Sequence, residues 1–180
     1  METNIGATIE DLYAITEKAE IVNGEIVRMS PTGDMPARAA FKIAVSLSRM
    51  ETMLGGRAYP DNVGYTVDLP NRKSFSPDAS FHIGPPTGMK FLDGAPVFAV
   101  EVRSEGDYGS QGEAALAQER RDYFAAGTRV VWDVDLLSRD VVRVYRATAP
   151  DAPTIYRRGD VAEAEPAVPG WRIPVDELFA

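Results

Sequence analysis

Gly94-Ala95-Pro96-Val97-Phe98-Ala99-Val100-Glu101-Val102-Arg103 is the stretch on which the reading of this chain turns. Val97 to Val100 form an apolar run, closed off by Gly94-Ala95-Pro96 on one side and by Arg103-Ser104-Glu105-Gly106 on the other, so the stretch reads as a buried strand. Glu101 sits at its end between Val100 and Val102. A carboxylate there is costly to desolvate unless something pairs with it, and a metal ion or a water-filled cleft is the usual solution. Upstream, Pro77-Asp78-Ala79-Ser80-Phe81 offers a second acidic residue at the start of a short strand-like segment. If the two strands are neighbours, Asp78 and Glu101 face one another at the mouth of a sheet.

Working outward, Ile9 to Ala14 reads as a short helix with Thr8 as N-cap. Ala19 to Val22 and Glu25 to Met29, joined by Asn23-Gly24, read as a hairpin, because that dipeptide tolerates the positive φ a tight turn demands. From Pro36 to Leu54, apolar residues at Ala40, Ile43, Ala44, Leu47 and Met50 recur at helical spacing, and Gly55-Gly56 ends the pattern. Arg57 to Tyr59 and Gly64 to Leu69 read as strands, Asn71 to Ser76 as a polar loop. A helix spans about Glu113 to Ala126, followed by strands at Arg129 to Asp135 and Val141 to Tyr145 and an irregular C-terminal section. The order predicts a single mixed α/β domain over residues 1–180, its central sheet flanked by helices and partly parallel, with an N-terminal β-hairpin.

Composition narrows the function. There is no Cys, and His82 is the one histidine, which removes thiolate chemistry and multi-His zinc sites. No apolar run approaches the roughly 20 residues a membrane helix needs, and the expectation is a soluble cytoplasmic protein. The formal charge of −8 argues against holding nucleic acid by bulk electrostatics, but is compatible with an enzyme that faces phosphates through bound cations. On the helix from Glu113, Glu119 and Arg120 fall within the inward stripe of Leu116, Tyr123 and Phe124, where charge needs a partner.

Pro77-Asp78, followed by an apolar strand ending in Glu101-Val102-Arg103, resembles the PD-(D/E)XK signature of the restriction-endonuclease-like nucleases. More closely, Glu20 to Pro31, Pro77 to Phe81, Ala95 to Asp107, Asp122 to Asp135 and Pro169 to Phe179 resemble the Uma-type family of bacterial restriction-endonuclease-like proteins. The signature alone recurs by chance, whereas its combination with the Trp132 to Asp135 strand and the Pro169-Gly170 ending covers nearly the whole chain.

The resemblance implies a restriction-endonuclease-like fold and a DNA endonuclease using Mg²⁺ or Mn²⁺, with Asp78, Glu101 and the backbone carbonyl of Val102 as ligands. It also implies a lysine that orients the attacking water. Arg103 stands at the signature's lysine position, and the Uma-type lysine position, four residues before Tyr123, is Glu119. Arg103 or Arg120 would then supply the cation and Glu119 a further ligand, although an arginine stays protonated and cannot act as a base. A homodimer would suit two cuts in duplex DNA. The second reading is a catalytically silent member, keeping the fold as a nucleic-acid-binding or protein-interaction module.

Overall fold

A computed structural model describes residues 6–180. The chain opens with α1 (Ile9–Tyr13), whose Thr8 and Asp11 cap each other reciprocally in a capping box. Then come β1 (Ala19–Val22) and β2 (Glu25–Arg28), an antiparallel hairpin turning at Asn23 and Gly24, both of positive φ (52° and 77°). The expected long helix is two: α2 (Asp34–Ser48) and a single turn, α3 (Glu51–Leu54). Around Arg49 and Met50 the backbone bonds tighten to three-residue spacing, Arg49 to Ser46 and Met50 to Leu47, which breaks the helix before Gly55 ends it at φ 67°.

Next come β3 (Arg57–Pro60), β4 (Tyr65–Thr66), β5 (Ser74–Phe75), β6 (Ala79–His82), β7 (Leu92–Asp93) and β8 (Phe98–Val102). α4 (Gly109–Ala125) leads to β9 (Val130–Val134), β10 (Val142–Arg146), β11 (Ala149–Tyr156), β12 (Val161–Glu163) and β13 (Arg172–Pro174). Six strands make the central sheet in the order β11-β10-β9-β8-β6-β3, with β8 and β9 parallel and the other neighbours antiparallel. The fold is thus the mixed α/β arrangement the sequence predicted, a central sheet flanked by helices beside an N-terminal hairpin.

Strand alternation divides the sheet into two faces. Phe98, Val100, Val130 and Trp132 pack with α2 residues Ile43 and Leu47 and with Trp171 and Ile173. On the opposite face Ala99 and Val131 pack with Tyr123 of α4, Tyr65 and Phe75. Glu101 follows Ala99 in that alternation and therefore belongs to the α4 side.

Three local readings needed tertiary correction. The C-terminal section contains a regular edge strand, β11, which tolerates Pro150 and Pro153 because an edge need not donate on both sides. α4 starts at Gly109 rather than at Glu113, and its early glycine is required: a Cβ on Gly112 would come within 2.5 Å of the Asp107 backbone. The supposed polar loop from Asn71 runs inward, burying Arg72, Ser74 and Ser76 and contributing β5.

Candidate active site

β6 and β8 pair with Ala79 opposite Val100, where the ladder ends, so Asp78, just before β6, comes beside the end of β8 that carries Glu101. Beyond Ala79 the register slips by one residue, with the Asp78 amide donating to the Val100 carbonyl at 3.1 Å. Asp78 Oδ2 accepts the Val102 amide at 2.8 Å, which holds the carboxylate at the strand end. Glu101 Oε1 accepts the Tyr123 hydroxyl at 2.7 Å, which ties it to α4. Both carboxylates line one cavity of about 600 Å³, together with Lys18, Glu20, Asp61, Val102, Leu116 and Glu119.

The hairpin forms the opposite wall. Met29 donates its amide to the Lys18 carbonyl at 2.9 Å, extending the β1–β2 ladder, so Lys18 and Glu20 alternate onto the same side. Lys18 Nζ reaches Asp61 Oδ1 at 2.5 Å and Asp78 Oδ1 at 3.4 Å, with its side chain 18% exposed. Behind Glu20 lies a buried clamp. Arg72 pairs with Glu20 and, through Nε at 2.9 Å, with Asp122 of α4, while Glu119 Oε1 stands 3.6 Å from its Nη1. Glu20 also accepts the Ser76 amide at 2.6 Å, and Asp122 accepts Asn71 at 2.9 Å.

The electrostatics follow from crowding acids at low exposure. Burial, then the neighbouring Glu119 and Asp78, push the Glu101 carboxyl well above the ordinary glutamate range. Burial also raises Asp78, against the opposing pull of Lys18 and the Val102 amide. Burial and Glu20 push Glu119 up to about 8, outweighing Arg72. For Lys18, burial favours the neutral form, but Asp78, Asp61 and Glu101 together outweigh it and hold the ammonium protonated well above the usual lysine range.

These positions bring Asp78, Glu101, Val102 and Glu119 together, as the sequence implied. They do not bring Arg103 or Arg120. Arg103 follows Glu101 on the same face, but its guanidinium is consumed by Asp133, at 2.8 and 2.7 Å, and by Glu113. Asp133 sits opposite Glu101 on β9, so Arg103 neutralises a third strand-end carboxylate instead of serving the cleft. Arg120 lies 3.7 Å above the centre of the Tyr145 ring. Glu101 pairs with no arginine, and Glu119 is no surface residue, its side chain 19% exposed.

A match to the Uma2 family, described as "Putative restriction endonuclease", runs over residues 9–176. The chain belongs to this family. A crystal structure of a putative nuclease belonging to DUF820 from Anabaena variabilis superposes with a TM-score of 0.73 at 16% identity, covering 96% of this chain and 97% of that one. At that identity the likeness is one of fold, shared over nearly the whole length of both chains. No curated protein matches the chain.

Within this Uma2 chain, Lys18, Glu20 and Asp61 line the cavity and Arg72 stands behind it, none of them marked out as site residues by the signature. A signal existed in Lys18-Ala19-Glu20-Ile21: two charged residues alternate with apolar ones at the start of the hairpin, so one strand face carries charge. Glu25, on the second hairpin strand, is exposed and lies outside the cavity lining. Among the described residues, no three or more His, Cys, Asp or Glu side chains are gathered in a way that would hold a metal ion. The candidate donors for a cation are therefore the carboxylates of Asp78 and Glu101, two groups on one cavity. None of the described helices is long and apolar enough to cross a membrane.

Proposed function

We propose that this chain is a divalent-metal-dependent endonuclease that hydrolyses phosphodiester bonds of DNA, acting as a single domain over residues 1–180. The observation that carries the reading is the convergence of Asp78 and Glu101 on one cavity from the ends of adjacent strands. Both are raised by burial, Asp78's charge further raises Glu101, and one ammonium faces them. Two carboxylates so placed suit a hard cation, since Mg²⁺ and Mn²⁺ prefer carboxylate, carbonyl and water oxygens. Asp78, Glu101 and the Val102 carbonyl would hold it. When bound, such an ion lowers the pKa of water and stabilises charge on a phosphate.

The chain's own residues do the rest. The Val102 amide and Lys18 fix Asp78, and the Tyr123 hydroxyl orients Glu101. Burial and Glu20 push Glu119 up to about 8, so at neutral pH it keeps much of its proton and would stand beside the cation as a neutral group. A homodimer would present one cleft to each strand of a duplex.

Plasmid DNA incubated with the protein and Mn²⁺ tests the proposal. Cleavage is expected, with loss of activity in Asp78→Ala and in Glu101→Ala; intact plasmid, or cutting indifferent to both substitutions, refutes it. A second reading, a silent nuclease-fold module, is favoured by Glu119 at the family's lysine position and by the formal charge of −8. Calorimetry separates the two, because a silent module would show no Mn²⁺ binding that depends on Asp78 and Glu101.

A further inference from the structure

Among the described residues, one cation faces the cleft, and it comes from the start of the hairpin. Among the residues lining the cavity Lys18 alone is basic. Arg72 stands behind the wall, occupied by Glu20 and Asp122, Arg103 is occupied by Asp133 and Glu113, and Arg120 covers Tyr145. An ammonium has three N–H donors. The contacts to Asp61 at 2.5 Å and Asp78 at 3.4 Å leave at least one for a group arriving in the cleft.

We infer that Lys18 is a catalytic residue that contacts the substrate phosphate directly, with Asp61 as the positioning residue that aims it. The inference rests on the nuclease reading for its reaction, but the phosphate contact is a separate claim. In hydrolysis a water oxygen bonds to phosphorus while the phosphorus–oxygen ester bond breaks. The water releases one proton to solvent and the leaving oxygen takes one up, giving a phosphomonoester and an alcohol. Lys18 keeps its proton throughout and offsets the negative charge that gathers on the non-bridging oxygens. The same ammonium competes with a metal ion for Asp78, so its charge should weaken cation binding slightly while speeding the reaction.

Lys18→Met and Lys18→Arg test this at saturating Mn²⁺, with plasmid cleavage as one readout and calorimetric binding of dimethyl phosphate as another. Lys18→Met is expected to cut kcat by roughly 10²- to 10³-fold, the usual effect of removing one donor aimed at developing charge. Mn²⁺ affinity should be equal or tighter, dimethyl phosphate affinity should fall about tenfold or more, and Lys18→Arg should recover much of both losses. Unchanged kcat and unchanged dimethyl phosphate binding in Lys18→Met would reduce Lys18 to a counter-ion of Asp78 and Asp61 and overturn the inference. Joint loss of Mn²⁺ binding and thermal stability in both variants would overturn it too, as a purely structural role. If the wild-type protein itself fails to cut, the nuclease reading falls, and the dimethyl phosphate comparison still decides for or against Lys18.

Discussion

Glu119 shows how a single side chain reports on its surroundings. Its carboxyl is raised from 4.5 to about 8 because burial and Glu20 disfavour its charge more than Arg72 favours it. A carboxyl whose folded pKa exceeds its unfolded one binds its proton more tightly when folded. Between those two values the native state carries more protons than the unfolded chain, so stability falls as pH rises. Asp78 and Glu101 are shifted in the same direction and add to the slope. The melting temperature of the wild-type protein should therefore fall from about pH 5 to about pH 8, and Glu119→Gln should flatten that fall. Parallel slopes in calorimetric scans of the two proteins would show that Glu119 ionises normally.

At the scale of elements, the β8–α4–β9 unit is held by charge as well as by packing. Tyr123 stacks on Phe75 with ring centroids 4.0 Å apart, while Arg103 bridges β9 to the first turns of α4 through Asp133 and Glu113. Asp133 and the Arg103 side chain are both nearly inaccessible, so removing the arginine alone strands a buried carboxylate. Arg103→Met should destabilise the fold by roughly 3–5 kcal/mol, and adding Asp133→Leu should restore most of that, because a buried pair is replaced by apolar groups rather than broken. Urea melts of the single and double variants read this directly; a mild single variant would mean that water reaches Asp133. Arg103 therefore stands beside the acidic signature without being part of the cleft, its charge already committed to Asp133 and Glu113.

Over the whole molecule, the cleft is assembled from the hairpin, the β3–β4 connection, two sheet strands and α4, segments that meet only after folding. A cation binding Asp78 and Glu101 binds the native state and not the unfolded chain, so it must stabilise the whole. Saturating Mn²⁺ should raise the melting temperature, by about 2.7 kcal/mol of stability at a hundredfold excess over its dissociation constant. EDTA should remove the gain, and Asp78→Ala or Glu101→Ala should abolish it. A wild-type melting temperature indifferent to Mn²⁺ would leave the paired carboxylates without their proposed ligand.

From the residues in order came the mixed α/β class, the Asn23-Gly24 hairpin and the buried strand that carries Glu101, because period, turn chemistry and a carboxylate at the end of an apolar run are local properties. Local rules also misled where a long-range partner changed the outcome. The polar stretch from Asn71 is drawn inward by Glu20 and Asp122, prolines are allowed in β11 because it is an edge, and the glycine-rich start of α4 is helical because Asp107 lies against Gly112. The cationic side of the cleft was decided by tertiary structure alone. Whether Lys18, Arg103 or Arg120 serves the two acids depends on which other carboxylates each meets first, and such contacts join Lys18 to Asp78, and Arg103 to Asp133, across spans of chain over which side-chain periodicity carries no information.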